Sequence, residues 1–256
     1  MNGNKIVWGF GLLLVLTTLT VTIGTSDSRS QENVNTGPTP PNSSFQEEVK
    51  KYALADYDAA LPDNPQIREE RRRKSQRYDS QNLVMRNPGP NRSGVERYDE
   101  VPPPPVFPVS ESTFIVTGKI ERADAFLSND KLGVYTEFTI RIHEMLKKPF
   151  SSKLGVGDTI IADRAGGAVR YSTGQQLLYR YAERDLPLLD SSVILFLTCG
   201  TQSPNCEILT GYEVSDQKVS PLDFRDSRLD EFQEVTKASF VESIRNKIVI
   251  ISQTGK

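Results

Sequence analysis

A chain of 256 residues with 31 basic and 33 acidic side chains has a formal net charge of −2. It lacks the cationic surplus that releases counterions from nucleic-acid phosphate, which argues against a nucleic-acid partner. The composition is uneven: 12 of the 16 prolines precede residue 111, so little of that first part can build a packed core, and a domain of ordinary size is expected in 111–256.

Near the start, Lys5 precedes an uncharged run from Ile6 to Ile23, "IVWGFGLLLVLTTLTVTI". Signal-peptide cores span roughly 7 to 15 apolar residues and spanning helices about 17 to 25. The run predicts a transmembrane helix over 1–24 that partners the cytoplasmic membrane, with Lys5 on the inner side. A removed signal peptide is the alternative, although Thr22-Ile23-Gly24 makes a poor cleavage site. Either reading places the rest outside the cytoplasm, at the cell membrane or secreted into the periplasm.

Residues 25–110 read as a disordered linker rich in proline and polar residues. Within it, Val49, Tyr52, Ala53, Tyr57 and Leu61 have near-helical spacing and predict a short helix. "IREERRRKSQR", residues 67–77, predicts a solvated helix of mixed charge; its functional reading is contact with an anionic lipid or polymer.

From Ser112 the pattern becomes short strands separated by turn residues, predicting a mainly β fold: a small OB-like barrel of about five to six strands over 111–226. "TFIVTGKIERA" is the first strand and "SNDKLG" a turn. In "VYTEFTIRIHEMLKK", Val134, Thr136, Phe138, Ile140 and Ile142 share one face, while Tyr135, Glu137, Thr139, Arg141 and His143 share the polar one. "TIIADRAGG" follows, "QQLLYRYA" is a candidate fourth strand, and "SSVILFLTC", apolar on both faces, is a central strand. "EILTGYEV" returns beside it, with "DQKVSPL" as a turn and edge segment. Residues 227–256 predict a C-terminal helix packed on the barrel, with Leu229, Phe232, Val235, Val241 and Ile244 inward and Ser227 and Asp230 as a capping box. "IVIIS" would follow as a terminal strand or buried tail.

Cys199 and Cys206 end one strand and begin the next, so a hairpin brings them together. In an oxidising compartment they predict a disulfide. A zinc site is disfavoured because C-x6-C lacks paired C-x-x-C spacing.

His143, the only histidine, is the one candidate for a Ser-His-Asp hydrolase, but its place on a polar strand face reads as an exposed side chain. Asp223, Asp226 and Asp230 lack a calcium-loop pattern, and no motif calls for a cofactor or metal. Arg164, Arg170, Tyr171, Tyr179, Arg180, Tyr181 and Arg184 cluster among glycines in "DRAGGAVRYSTGQQLLYRYAERD". Planar guanidinium and phenol groups give rigid contact surface, so this segment is the candidate ligand site, with envelope protein or carbohydrate preferred.

The order "YTEFTIRIHEMLKK", "GVGDTIIADRAGG", "VILFLT", "LTGYEVSDQKVSPL" resembles a group of exported bacterial proteins with a strand Y-T-x-F-T-x-x-V-x-E-x-L-K-G, a G-D, a Gly-Gly loop and a K-V-x-P-L segment. The likeness covers residues 112 to about 222, implies no established activity, and places a polar residue at His143. The layout is also similar to the OB-type barrel of netrin-like metalloproteinase-inhibitor domains. Their mechanism, a free N-terminal cysteine on the protease zinc, is not carried over to a chain read as opening with an anchor and tether. The expectation is therefore an exported, non-enzymatic binding or structural module. The alternatives are an extracytoplasmic hydrolase using His143, or an inhibitor or assembly factor of an envelope enzyme.

Overall fold

The computed structural model describes residues 43–79, 85–86, 95–97, 106–181, 184–200, 206–223 and 235–254. All lie within one unit, Pro41–Lys256. Its elements in chain order are α1 (Ser43–Val49), β1 (Leu54–Asp56), α2 (Pro65–Gln76), β2 (Met85–Arg86), β3 (Val95–Arg97), β4 (Phe114–Leu127), β5 (Val134–Lys147), β6 (Thr159–Ala165), β7 (Gly167–Arg170), β8 (Gln176–Tyr181), β9 (Ser192–Cys199), β10 (Cys206–Ser215), β11 (Lys218–Pro221) and α3 (Lys237–Thr254).

Five long or central strands close on themselves in the order β4-β5-β6-β10-β9 and back to β4, with β11 added to the edge of β10. All pairings in the ring are antiparallel except β6 with β10, which is parallel. A closed five-stranded ring with this order is consistent with an OB-like barrel. The period-2 pattern explains its interior: Phe138, Ile140 and Ile142 of β5 meet Ile120 of β4, Ile160 and Ala162 of β6, and Val193, Leu195 and Leu197 of β9. β9 is apolar on both faces because its other side, Ile194 and Phe196, packs with Tyr212 and Val219 against Phe240, Val241 and Ile244 of α3.

The β6–β10 seam is short, formed by the pairs Cys206–Ala162 and Glu207–Asp163. Beyond it a side-chain bridge spans the two strands: buried Asp223 accepts from Arg164 of β6 and from the Thr210 hydroxyl of β10 (2.5 Å). On the opposite edge of β10, Cys206 lies across from Cys199, and the expected disulfide joins them with 4.1 Å between their Cα atoms.

A second sheet has the order β1-β7-β8-β3-β2. "QQLLYRYA" thus belongs to β8 of this sheet, a correction to its expected place in the barrel. The chain leaves β6 for β7 through Gly166 and Gly167, both at positive φ; a Cβ on Gly167 would stand 2.8 Å from the Thr136 hydroxyl and 2.9 Å from Val134.

Three further expectations are corrected. The segment 43–79 is not disordered linker but an arm folded against the barrel: α2 forms where a helix was expected, whereas the short helix expected on Val49 to Leu61 is confined to α1. α1 ends at Val49, and Ala55 enters a sheet paired in parallel with Val169. The C-terminal helix begins at Lys237, capped by Thr236, whose hydroxyl accepts from the Ser239 N–H (3.3 Å), and "IVIIS" continues it. Ser227 and Asp230 lie outside the described residues. Finally, no helix among the described residues is long and apolar enough to cross a membrane. The expected spanning helix, residues 6–23, lies outside those residues, and placement at the cell membrane through it is not retained.

Candidate functional site

α2 is started by Asn64, whose side chain accepts from the N–H groups of Gln66 and Ile67, and by Pro65, whose fixed φ suits the first turn. Its inward side is polar. Arg71 and Lys74 each reach Glu137 of β5 at 2.9 Å, and Arg77 donates to Asp163 of β6 at 2.8 Å. Asp163 has no solvent exposure; it also accepts from the Tyr78 hydroxyl (2.5 Å) and has the Lys74 ammonium at 3.4 Å. Tyr78 stacks on Tyr135 with ring centroids 4.4 Å apart, and the Tyr135 hydroxyl pairs with Ser75 (3.1 Å). Burial, with the Asp163 charge adding to it, pushes the Tyr78 phenol far above its ordinary value, so it remains a donor. Beside Asp163 on β10, Glu207 is likewise raised, first by burial and then by the Asp163 carboxylate. The outer face of β5 and β6, used for ligands in many OB-like barrels, is here occupied in part by the chain's own basic helix.

The arginine–tyrosine group does not form one open site. Arg170 of β7 pairs with Asp56 of β1 (3.2 Å), and Tyr171 stacks on Tyr57 at 4.8 Å. The Tyr171 and Tyr179 hydroxyls lie 3.4 Å apart, and Tyr179 is buried with Ala55, Val134 and Val169. Arg180 of β8 pairs with Glu48 of α1. Each of these side chains helps to hold the arm. Tyr181 bridges to Arg184, which in turn bridges to Asp223. Arg164, 3% exposed, belongs to the barrel seam; its Nε and Nη1 have no hydrogen-bond partner among the described residues.

At one mouth of the barrel a cleft of about 130 Å³ lies between the arm and the ring. Phe138, Thr136, Ala123, Leu186, Pro187 and Leu189 line one side, and residues 50–53 line the other. The Tyr52 hydroxyl donates to Asp185 (3.1 Å); burial, then the charge of Asp185, pushes its pKa up to about 12.

Comparison with protein-family models, with curated proteins and with solved structures returns no match to this chain.

His143 is exposed on the outer face of β5, as alternation predicts. Among the described residues no group of three or more histidine, cysteine, aspartate or glutamate side chains is placed to hold a metal ion. The residues missed from sequence are Glu137, Asp163 and Glu207, together with their partners on α2. Their signal is a helical repeat carried by polar side chains: Arg71, Lys74, Ser75 and Tyr78 lie at i, i+3, i+4 and i+7.

A different feature faces outward. The β5–β6 connection presents Phe150, fully exposed, and Val156, exposed, with Lys148 and Lys153 on the same loop. The Lys148 ammonium folds back onto the Leu154 carbonyl (2.9 Å) and helps to shape the loop.

Proposed function

We propose that this chain is a non-enzymatic protein-binding module of an oxidising, extracytoplasmic compartment, acting as an inhibitor or assembly factor of an envelope enzyme. The observation that carries this reading is the loop 148–158, which holds Phe150 and Val156 in solvent beside Lys148 and Lys153 at the end of a closed barrel. Exposed aromatic anchors with cationic neighbours suit a protein partner offering an apolar pocket with an acidic rim. The disulfide supports the compartment, since thiols stay reduced in the cytosol of most organisms. The likeness to exported bacterial proteins agrees with it. The engagement of Arg170, Tyr171 and Arg180 by the arm favours a protein partner at the loop over carbohydrate at those residues.

The test is crosslinked affinity capture from an envelope extract with the full chain and with a Phe150→Asp, Val156→Asp double variant. A partner recovered by the parent and lost from a variant of unchanged circular dichroism supports the reading. Identical recovery by both, or by neither, removes the loop as the binding surface. The hydrolase alternative is addressed by His143→Gln: a hydrolytic activity that disappears while the fold is retained overturns the non-enzymatic reading.

A further inference from the structure

The cleft at the barrel mouth has a chemistry of its own, independent of the loop at 148–158. Its floor is apolar and firmly held: Phe138 and Leu186 belong to the barrel core, and Ala123 packs against it. Thr136, the polar side chain on the barrel side, is already committed, donating to the Gly166 carbonyl at 2.8 Å. The cleft therefore offers hydrogen-bonding capacity at its rim and apolar surface within.

At the rim the charges are unequal. Of the nearby carboxylates, Glu47 pairs with Lys50 at 2.6 Å and Glu48 with Arg180, while Asp185 keeps its charge, accepts from the Tyr52 hydroxyl at 3.1 Å and acts electrostatically on Arg180. Lys51 is exposed and has no carboxylate within ion-pair distance among the described residues. A cation beside an apolar floor, with no acidic residue in the lining, selects a molecule that is anionic at one end and apolar at the other. A volume of about 130 Å³ is slightly below that of an apolar cavity of about 150 Å³ that accepts benzene, which suits a short tail of about four carbons.

The two walls also belong to different parts of the fold. Residues 50–53 come from the arm, whereas Ala123, Phe138, Leu186, Pro187 and Leu189 come from the barrel side. A ligand that touches both walls binds only the closed arrangement and stabilises it by mass action.

We propose that this cleft binds a small carboxylate with a short apolar tail and that the bound molecule holds the arm closed on the barrel. The probe is pentanoate, titrated into the full chain by saturation-transfer NMR, with pentylammonium as the charge control and acetate as the tail control. Saturable binding of pentanoate is expected, with neither control bound at the same concentration. Lys51→Glu should weaken pentanoate by about tenfold, Lys51→Arg should retain it, and Ala123→Leu, which fills the floor, should abolish it in a chain of unchanged circular dichroism. Bound pentanoate should also slow amide exchange at residues 52–57 by a factor that grows with occupancy. The site is overturned if pentanoate does not saturate, if pentylammonium binds as well, or if Lys51→Glu binds with unchanged affinity. The closing role is overturned if binding leaves exchange in the arm unaltered.

Discussion

Asp163 carries an unusual load for one residue: without solvent exposure, it accepts from Tyr78 and Arg77 and faces Lys74. Removing one partner of a buried, hydrogen-bonded charge group leaves the others uncompensated. Asp163→Ala is therefore expected to cost about 3 kcal/mol, read as a lower urea midpoint and as lost exchange protection in α2. Full retention of protection there would show that α2 is held by something else. Its neighbour Glu207 gives a pH test. Burial and the Asp163 charge hold the Glu207 carboxyl above its ordinary value of 4.5. A carboxyl with a raised folded value binds its proton more tightly in the native state, so its contribution to stability declines as pH rises from the ordinary value through the raised one. Glu207→Gln should accordingly raise the melting temperature near neutral pH and leave it unchanged below the ordinary carboxylate range. A melting temperature at neutral pH equal to or below the parent's would refute this. Residue by residue, alternation placed His143 correctly in solvent but placed Tyr135 on the same polar face, where it is wholly buried. Period 2 tells which residues share a face; it cannot tell that a distant helix will cover half of it.

Among the elements, those with apolar periodicity were legible. β4, β5, β6, β9, β10 and the β11 edge were expected from alternation and turn chemistry, and so was the meeting of Cys199 with Cys206. α2 was legible as a helix but not as a packed one, because its buried positions are Lys74 and Ser75 instead of leucines, and nothing local announces that Glu137 and Asp163 await them. The parallel pairing of β1 with β7 was hidden for another reason: three residues are too few to display a period. α3 starts at Lys237, where the Thr236 hydroxyl caps it, and "IVIIS" continues it because its apolar side extends the packing through Ile248 and Ile251. At this scale the disulfide gives a direct measurement. The two cysteines are 7 residues apart. In the chain-entropy model, closing a loop of that size restricts the unfolded state by about 2–3 kcal/mol. The Cys199→Ser, Cys206→Ser double variant should lose about that much in urea denaturation, and an unchanged midpoint would mean the strand pairing alone fixes the hairpin.

Across the whole molecule, two kinds of cohesion coexist. The barrel is held by a continuous apolar interior and by a second apolar layer under α3, while α2 is attached chiefly through ion pairs, phenol hydroxyls and stacked rings. Regions with few buried apolar contacts open at lower free energy than the core. Native-state hydrogen exchange should therefore release the amides of α2 before those of β4, β5 and β9, and simultaneous release would make arm and barrel one cooperative unit. The strands of the barrel were accessible from sequence because each announces itself, although their order was not; the packing of the arm was hidden because its contacts are polar, distant along the chain and interpretable only once the sheet exists.

The short seam between β6 and β10 has a further consequence for colloidal behaviour. A closed ring of strands has no free backbone edge there, whereas an open sheet exposes a row of unpaired N–H and C=O groups that templates self-association. Cys206 is one of the two β10 residues that make the seam, and its sulfur is the atom tethered to β9. A reductant thus acts where closure is thinnest, and the penalty for exposure to a reducing compartment is loss of solubility as well as loss of stability.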